Sequence, residues 1–249
     1  MGKSRRVVNC AEPWYCCVEM KEMAKMFLKR FRVKGLPHEP AELVRIAEDE
    51  LKTRFISGAA VIDVRQGVQF ARGHFPASLN IGLASPMFAV CVGQFLAKEC
   101  QIFLVVKKAE DVSRARVDLA RAGFDQVQGF IEARDLRELH QMTQLSVVDL
   151  NSTLFRGGKP AILDVRSQGE WKSNRIFGSR NIPLAQLTIR VSELSSSSPL
   201  VVVCQDGYQS AVASSWLQAN GFDSIQHLLG GMDAYAGAHS KQLVESLSF

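Results

Sequence analysis

Short runs of consecutive apolar residues recur along the chain, each four to six residues long and bounded by polar or turn-forming positions. They are Ala59–Val64 (AAVIDV), Ile102–Val106 (IFLVV), Ala161–Val165 (AILDV) and Leu200–Cys204 (LVVVC). Unbroken apolar runs of this length predict strands covered on both faces rather than alternating half-exposed ones. Between them the period changes. Val112, Ala115, Leu119 and Ala122 recur at helical spacing and Gly123 follows as a stop; Val212, Ala213, Trp216 and Leu217 form a similar stripe ended by Asn220-Gly221. Strands alternating with helices predict an α/β fold, built on a mainly parallel sheet flanked by helices.

The pattern occurs twice. Val61-Ile62-Asp63-Val64-Arg65 returns as Ile162-Leu163-Asp164-Val165-Arg166, Asn80-Ile81 as Asn181-Ile182, Ile102–Val106 as Leu200–Cys204, and Gly123-Phe124-Asp125 as Gly221-Phe222-Asp223. The offset is 101 residues at the first two motifs (162 − 61, 181 − 80) and 98 at the last two (200 − 102, 221 − 123). Solenoid repeats run about 20–50 residues, so this offset predicts two duplicated domains. We place them at residues 38–133 and 141–249, with a polar linker within 132–145 and a solvated turn at the four serines 195–198. Residues 1–37 lie outside the repeat. Met20, Met23, Phe27 and Phe31 define an amphipathic helix there, expected to pack on the first domain, with docking to a membrane surface or a partner as the alternative.

Composition narrows the classes. With 249 residues, 47% hydrophobic and 22% charged, the chain is an ordinary globular protein. Its formal net charge of +5 comes with no basic block interleaved with aromatics, so no nucleic-acid partner is expected. No apolar run approaches the roughly 20 residues that span a bilayer. The six cysteines (Cys10, Cys16, Cys17, Cys91, Cys100 and Cys204) make neither a disulfide framework nor a CxxC pair, which implies a reducing, cytoplasmic setting. The five histidines are scattered and form no metal-binding cluster, so neither a metal nor an organic cofactor is expected.

Chemistry concentrates at Cys204. It closes an apolar strand and is followed by Gln205-Asp206-Gly207-Tyr208-Gln209-Ser210 and then by a helix. A strand that runs through a glycine-containing loop into a helix places that loop at the carboxyl edge of a parallel sheet, where such folds bind ligands. Helix N–H groups aimed into the loop favour an anion. They also predict a thiolate stabilised below the usual cysteine range. The other five cysteines are expected to be small buried hydrophobes.

On these residues the second copy resembles a rhodanese domain, the sulfurtransferase module with an active loop Cys-x-x-Gly-x-Arg-Ser/Ala. Cys204, Gly207 and Ser210 match it, as do Asp164-Val165-Arg166, Glu170-Trp171, Asn181-Ile182-Pro183 and Gly230-Gly231 through Tyr235. The first copy is similar at Asp63-Val64-Arg65, Gly73-His74-Phe75-Pro76 and Asn80-Ile81. The pair also resembles the rhodanese portion of metallo-β-lactamase/rhodanese fusion proteins. The resemblance implies two tandem rhodanese-like domains, with Cys204 as catalytic nucleophile and Gln205, Asp206, Gly207, Tyr208, Gln209 and Ser210 holding a persulfide. It implies sulfur passing from a thiosulfate- or persulfide-type donor to a thiol or cyanide acceptor. A protein persulfide donor or a separate hydrolase is an expected partner. The related phosphatases have five residues between cysteine and arginine; four precede position 209 here, which disfavours that reading.

Two departures bear on activity. In the first copy Val106, followed by Lys107-Lys108, occupies the cysteine position, so that domain is expected to lack the catalytic cysteine. In the second, Gln209 replaces the loop arginine and Asp206 adds a negative charge. Two unit charges about 5 Å apart at an effective dielectric of about 20 interact by roughly 3 kcal/mol, so thiosulfate is expected to bind weakly. Arg175 is a possible compensating anion contact. Asp63, Arg65, Asp164 and Arg166 are assigned structural roles, and a weakly active binding module or redox sensor is the competing reading.

Overall fold

In the computed structural model, residues 43–246 are described, with side chains to 238. The proposed N-terminal helix, with Cys10, Cys16 and Cys17, falls outside the described residues. The chain divides into two compact units, Met1–Gln141 and Met142–Phe249. In the first, β1 (Val44–Arg45), α1 (Glu48–Ile56), β2 (Ala60–Asp63), α2 (Gly67–Arg72), β3 (Leu79–Asn80), α3 (Phe88–Phe95), β4 (Ile102–Val106), α4 (Glu110–Arg121) and β5 (Val127–Glu132) build a five-stranded sheet in the order β1-β5-β4-β2-β3. In the second, β6 (Thr143–Leu145), α5 (Val147–Phe155), β7 (Ala161–Asp164), α6 (Gln168–Ser173), β8 (Arg180–Asn181), α7 (Leu187–Arg190), β9 (Leu200–Val203), α8 (Tyr208–Ala219), β10 (Ile225–Leu228) and α9 (Gly231–Ser246) build another, in the order β6-β10-β9-β7-β8. All of the strand pairings in both sheets are parallel. The α/β architecture expected from the alternating pattern is present in both halves.

The apolar runs form the central strands because neither face of them meets water. β2, β4 and β9 are buried along their whole length, and β7 is buried except at Ala161. In the second unit Val201 and Val203 pack with Val147, Leu150, Ile162, Ile176, Leu228 and Met232. In the first, Val61, Phe103, Val105 and Ile131 pack with Leu51, Phe75 and Leu136. Helix stripes behave likewise: Val112, Ala115 and Leu119 on α4, and Val212, Ala213, Trp216 and Leu217 on α8, are buried.

The segment 132–145 is not a plain linker. It holds the last residue of β5, a 3-10 turn at Ala133–Asp135 and the whole of β6. β6 is a three-residue edge strand with no fully buried position, too short and too polar to stand out as an apolar run. His74, in the first unit, donates through Nδ1 to the Phe70 carbonyl at 3.0 Å and stacks on the Phe70 ring, a structural arrangement. Cys91 and Cys100 are buried in the core of the first unit.

Leu163 is completely buried in β7, between β9 and β8. Leu163→Ala is expected to lower the unfolding free energy of the second unit by about 2–5 kcal/mol. Urea titration followed by tryptophan fluorescence measures this, because Trp171 and Trp216 both lie in that unit; a loss under about 1 kcal/mol contradicts the burial described.

Candidate active site

The parallel register puts Asp164 beside Val203, so the residues after both strands emerge together at the carboxyl edge of the sheet. Asp164 and Arg166 form a buried ion pair, Nη2 to Oδ2 at 2.7 Å, with Arg166 Nε also donating to the carboxylate. The guanidinium reaches further. Nη2 donates to the Asn174 carbonyl at 2.6 Å and Nη1 to Gln205 Oε1 at 3.0 Å. Asn181 Nδ2 completes the clamp, donating to the carbonyls of Asp164 and Arg166 at 2.9 Å each. The first unit repeats this: Asp63 holds Arg65, Arg65 Nη2 donates to the Gly73 carbonyl at 2.8 Å, and Asn80 Nδ2 spans the carbonyls of Asp63 and Arg65. Only the link to the loop glutamine is added in the second.

Beyond Val203 the chain curls. Gly207 sits at φ +100°, a left-handed conformation that disfavours any residue with a Cβ, and directly precedes α8. The curl turns the Gly207 N–H onto Cys204 Sγ at 3.1 Å. The Ser210 hydroxyl lies 3.2 Å from the same sulfur, and the Ser210 backbone N–H also bonds it. Asp206 Oδ1 is 3.8 Å from the sulfur and accepts from the Tyr208 N–H at 2.9 Å. The sulfur therefore faces loop amides and a hydroxyl, although the residue is completely covered. Gln205 and Asp206 above it are exposed, while Gly207, Tyr208 and Gln209 are half-buried.

The loop is fastened from behind as well. The Met232 N–H donates to the Cys204 carbonyl at 2.8 Å and the Asp233 N–H to the Gln205 carbonyl at 2.9 Å; Gln205 Nε2 donates to Asp233 Oδ1. Gly231, at φ +55°, permits this approach: a Cβ there would lie 2.3 Å from the Cys204 carbonyl oxygen.

Two expectations are corrected. The helix N-terminus was expected to pull the thiol below its usual range, but burial pushes the Cys204 thiol up; the hydrogen bonds from Ser210 and Gly207 oppose this, and the Asp206 charge adds to it. Loss of solvent outweighs the loop's donors. The side chain of Arg175 does not turn to the loop either. Its guanidinium stacks over Trp171, 4.6 Å from the ring centroid, and donates weakly to the Lys172 carbonyl. Glu170 and Trp171 cap and pack: Glu170 forms a capping box with Ser167, and Trp171 Nε1 donates to Ser179 Oγ at 3.0 Å.

Two participants escaped the sequence reading. Arg166 reaches the loop through Gln205, which was foreseeable because both lie two residues beyond paired strand positions. His227, on β10, places Nδ1 3.0 Å from Ser210 Oγ. A histidine in a strand with no partner nearby in sequence carries no local signal. Burial lowers its pKa from 6.5 to about 4, so the ring is neutral at physiological pH.

The site is thus a buried cysteine in a glycine-turned loop at the carboxyl edge of a parallel α/β sheet. Comparison with known proteins gives the family. The rhodanese-like domain matches residues 146–238. The protein YqhL of Bacillus subtilis, described as uncharacterized, is 38% identical over 85 residues, 33% of this chain and 68% of YqhL. The thiosulfate sulfurtransferase GlpE of Shewanella oneidensis is 32% identical over 79 residues, 32% of this chain and 78% of GlpE. The adenylyltransferase and sulfurtransferase MOCS3 of Arabidopsis thaliana is 32% identical over 120 residues, 42% of this chain but only 26% of that protein. The chain belongs to the rhodanese-like family. Among the described residues no helix is long and apolar enough to cross a membrane.

Gly231→Ala is expected to displace the Cys204–Gln205 backbone and to lower the melting temperature, readable as shifted amide resonances across residues 204–207. Unchanged spectra would contradict the close approach. Acid tests His227. A group whose folded pKa lies below its unfolded value takes up a proton on unfolding, so stability falls as pH drops from about 6.5 to about 4, by about 3 kcal/mol for this ring. His227→Gln should remove that part of the pH dependence when the two profiles are subtracted; identical slopes would show the histidine is solvated.

Proposed function

We propose that the protein is a sulfurtransferase that carries sulfane sulfur as a persulfide on Cys204. The observation that carries this reading is the Gly207 N–H, 3.1 Å from the sulfur, in a loop whose glycine, serine and cysteine follow the family pattern. The family match over residues 146–238 and relatives described as sulfurtransferases support it.

The chemistry balances without cofactor or metal. Cys204 sulfur attacks the outer sulfur of thiosulfate or of a donor persulfide. A new S–S bond forms as the donor's own S–S bond breaks, and sulfite or the donor thiol departs with the electron pair and a proton. The outer sulfur now carries the charge, within reach of the loop donors from Gln205 to Ser210. A thiol or cyanide then attacks that outer sulfur and releases Cys204. With Gln209 instead of arginine and Asp206 at the rim, a neutral or protein-bound persulfide suits the site better than a dianion. A separate hydrolase is one source of such a partner, and the cytoplasm supplies the reducing setting that free thiols need.

The first unit, in this reading, is a second rhodanese-like domain without a nucleophile. Register supports the equivalence: Asp63 pairs Val105 as Asp164 pairs Val203, so Val106 stands at the position of Cys204, fully buried. The burial that raises the Cys204 thiol, together with Gln209, favours one competing reading, a weakly active binding module or redox sensor.

Incubation with a small-molecule persulfide should add about 32 Da, one sulfur atom, to the peptide containing Cys204, and Cys204→Ser should abolish both this gain and sulfur transfer to cyanide. No added mass with thiosulfate or any persulfide would overturn the proposal. Gln209→Arg should raise thiosulfate turnover at least about tenfold; no gain would favour the binding module.

A further inference from the structure

We infer that His227 is a positioning residue for the sulfur site, holding the Ser210 hydroxyl against Cys204 so that it donates to the sulfur anion. The inference rests on the persulfide reading above, and its evidence is a buried chain of contacts that crosses three elements. His227 Nδ1 on β10 is 3.0 Å from Ser210 Oγ on α8, and that oxygen is 3.2 Å from Cys204 Sγ at the end of β9. All three residues are buried, at 4%, 0% and 0% exposure, so solvent does not compete for the contacts. The ring lies beneath the loop: its Cε1 is 3.6 Å from where a Cβ on Gly207 would stand.

The hydroxyl has a choice of acceptor. Its oxygen is also 3.2 Å from the Gly207 carbonyl, and a serine rotated to donate there withdraws its proton from the sulfur. A neutral imidazole with its proton on Nδ1 donates into the Ser210 oxygen, fixes that oxygen at the sulfur and polarises the O–H toward it. Burial keeps the ring neutral, so no second cation must be desolvated. Other charges near the sulfur do not serve this role. Asp206 opposes the anion from the loop, and Arg166 is spent on Asp164, Asn174 and Gln205. Since Gln209 brings no charge, Ser210 and the loop amides are the donors seen at this sulfur among the described residues, and His227 sets the direction of one of them.

The test uses the full-length protein and reads the thiol itself. The pH dependence of Cys204 alkylation by iodoacetamide is followed by mass spectrometry of its peptide. His227→Leu is expected to slow alkylation about tenfold at neutral pH and to shift the thiol's titration upward. Ser210→Ala should do the same, and His227→Leu added to Ser210→Ala should cost nothing further. His227→Asn, whose amide nitrogen reaches toward the Nδ1 position, should stay within about threefold of wild type, while His227→Gln should not. Superimposable profiles for wild type and His227→Leu, or losses that multiply in the double variant, overturn the inference. If His227→Leu fails to fold, equal rates for the Asn and Gln variants overturn it instead. Should alkylation follow the expected pattern while no donor adds sulfur, the persulfide reading fails and the role of His227 stands.

Discussion

A carboxylate and a guanidinium buried at the end of a sheet cost several kcal/mol each to desolvate, and such a pair is tolerated only where its remaining donors and acceptors are met. Asp164 and Arg166 meet that condition by recruiting the rest of the site. The guanidinium spends its donors on the carboxylate, on the turn after α6 through Asn174, and on the cysteine loop through Gln205. The strand edge, the α6 segment and the cysteine loop are thereby tied to one planar, permanently charged group. Lysine has neither the planar fork nor the number of donors for this.

Against that scaffold, the sulfur's environment is a balance of opposing effects. Withdrawal from solvent penalises the thiolate, and Asp206 penalises it further, while two amides and a hydroxyl offset part of the cost. In the proposed reaction a persulfide would alter this balance, because its charge would sit on the outer sulfur, one bond farther from the desolvated base of the loop, in keeping with binding energy being most useful where the reacting charge develops.

Much of the fold was legible because its central strands are apolar up to a closing aspartate on two of them, and its motif is written twice. β2, β4, β7 and β9 came directly from those runs, and the stripes on α4 and α8 from their period. Edge strands were not legible. β1 and β6 are two and three residues long and partly exposed, so hydrophobicity does not mark them; they exist through backbone pairing to β5 and β10. At the site, the cysteine, glycine and serine were visible as a contiguous motif. The direction of the thiol's pKa was not, since it depends on how completely the loop closes over the sulfur. Nor was His227, which meets Ser210 across 17 positions of sequence and only through β10 lying beside β9.

Val106 closes the same strand position in the first sheet with a residue that needs no amide bowl, no left-handed glycine and no buried imidazole. The molecule thus contains one strand order in two copies, with and without a cysteine at this position. Their difference in local opening free energy is an internal measure of what it costs a parallel sheet to bury a cysteine and its amide loop at that edge.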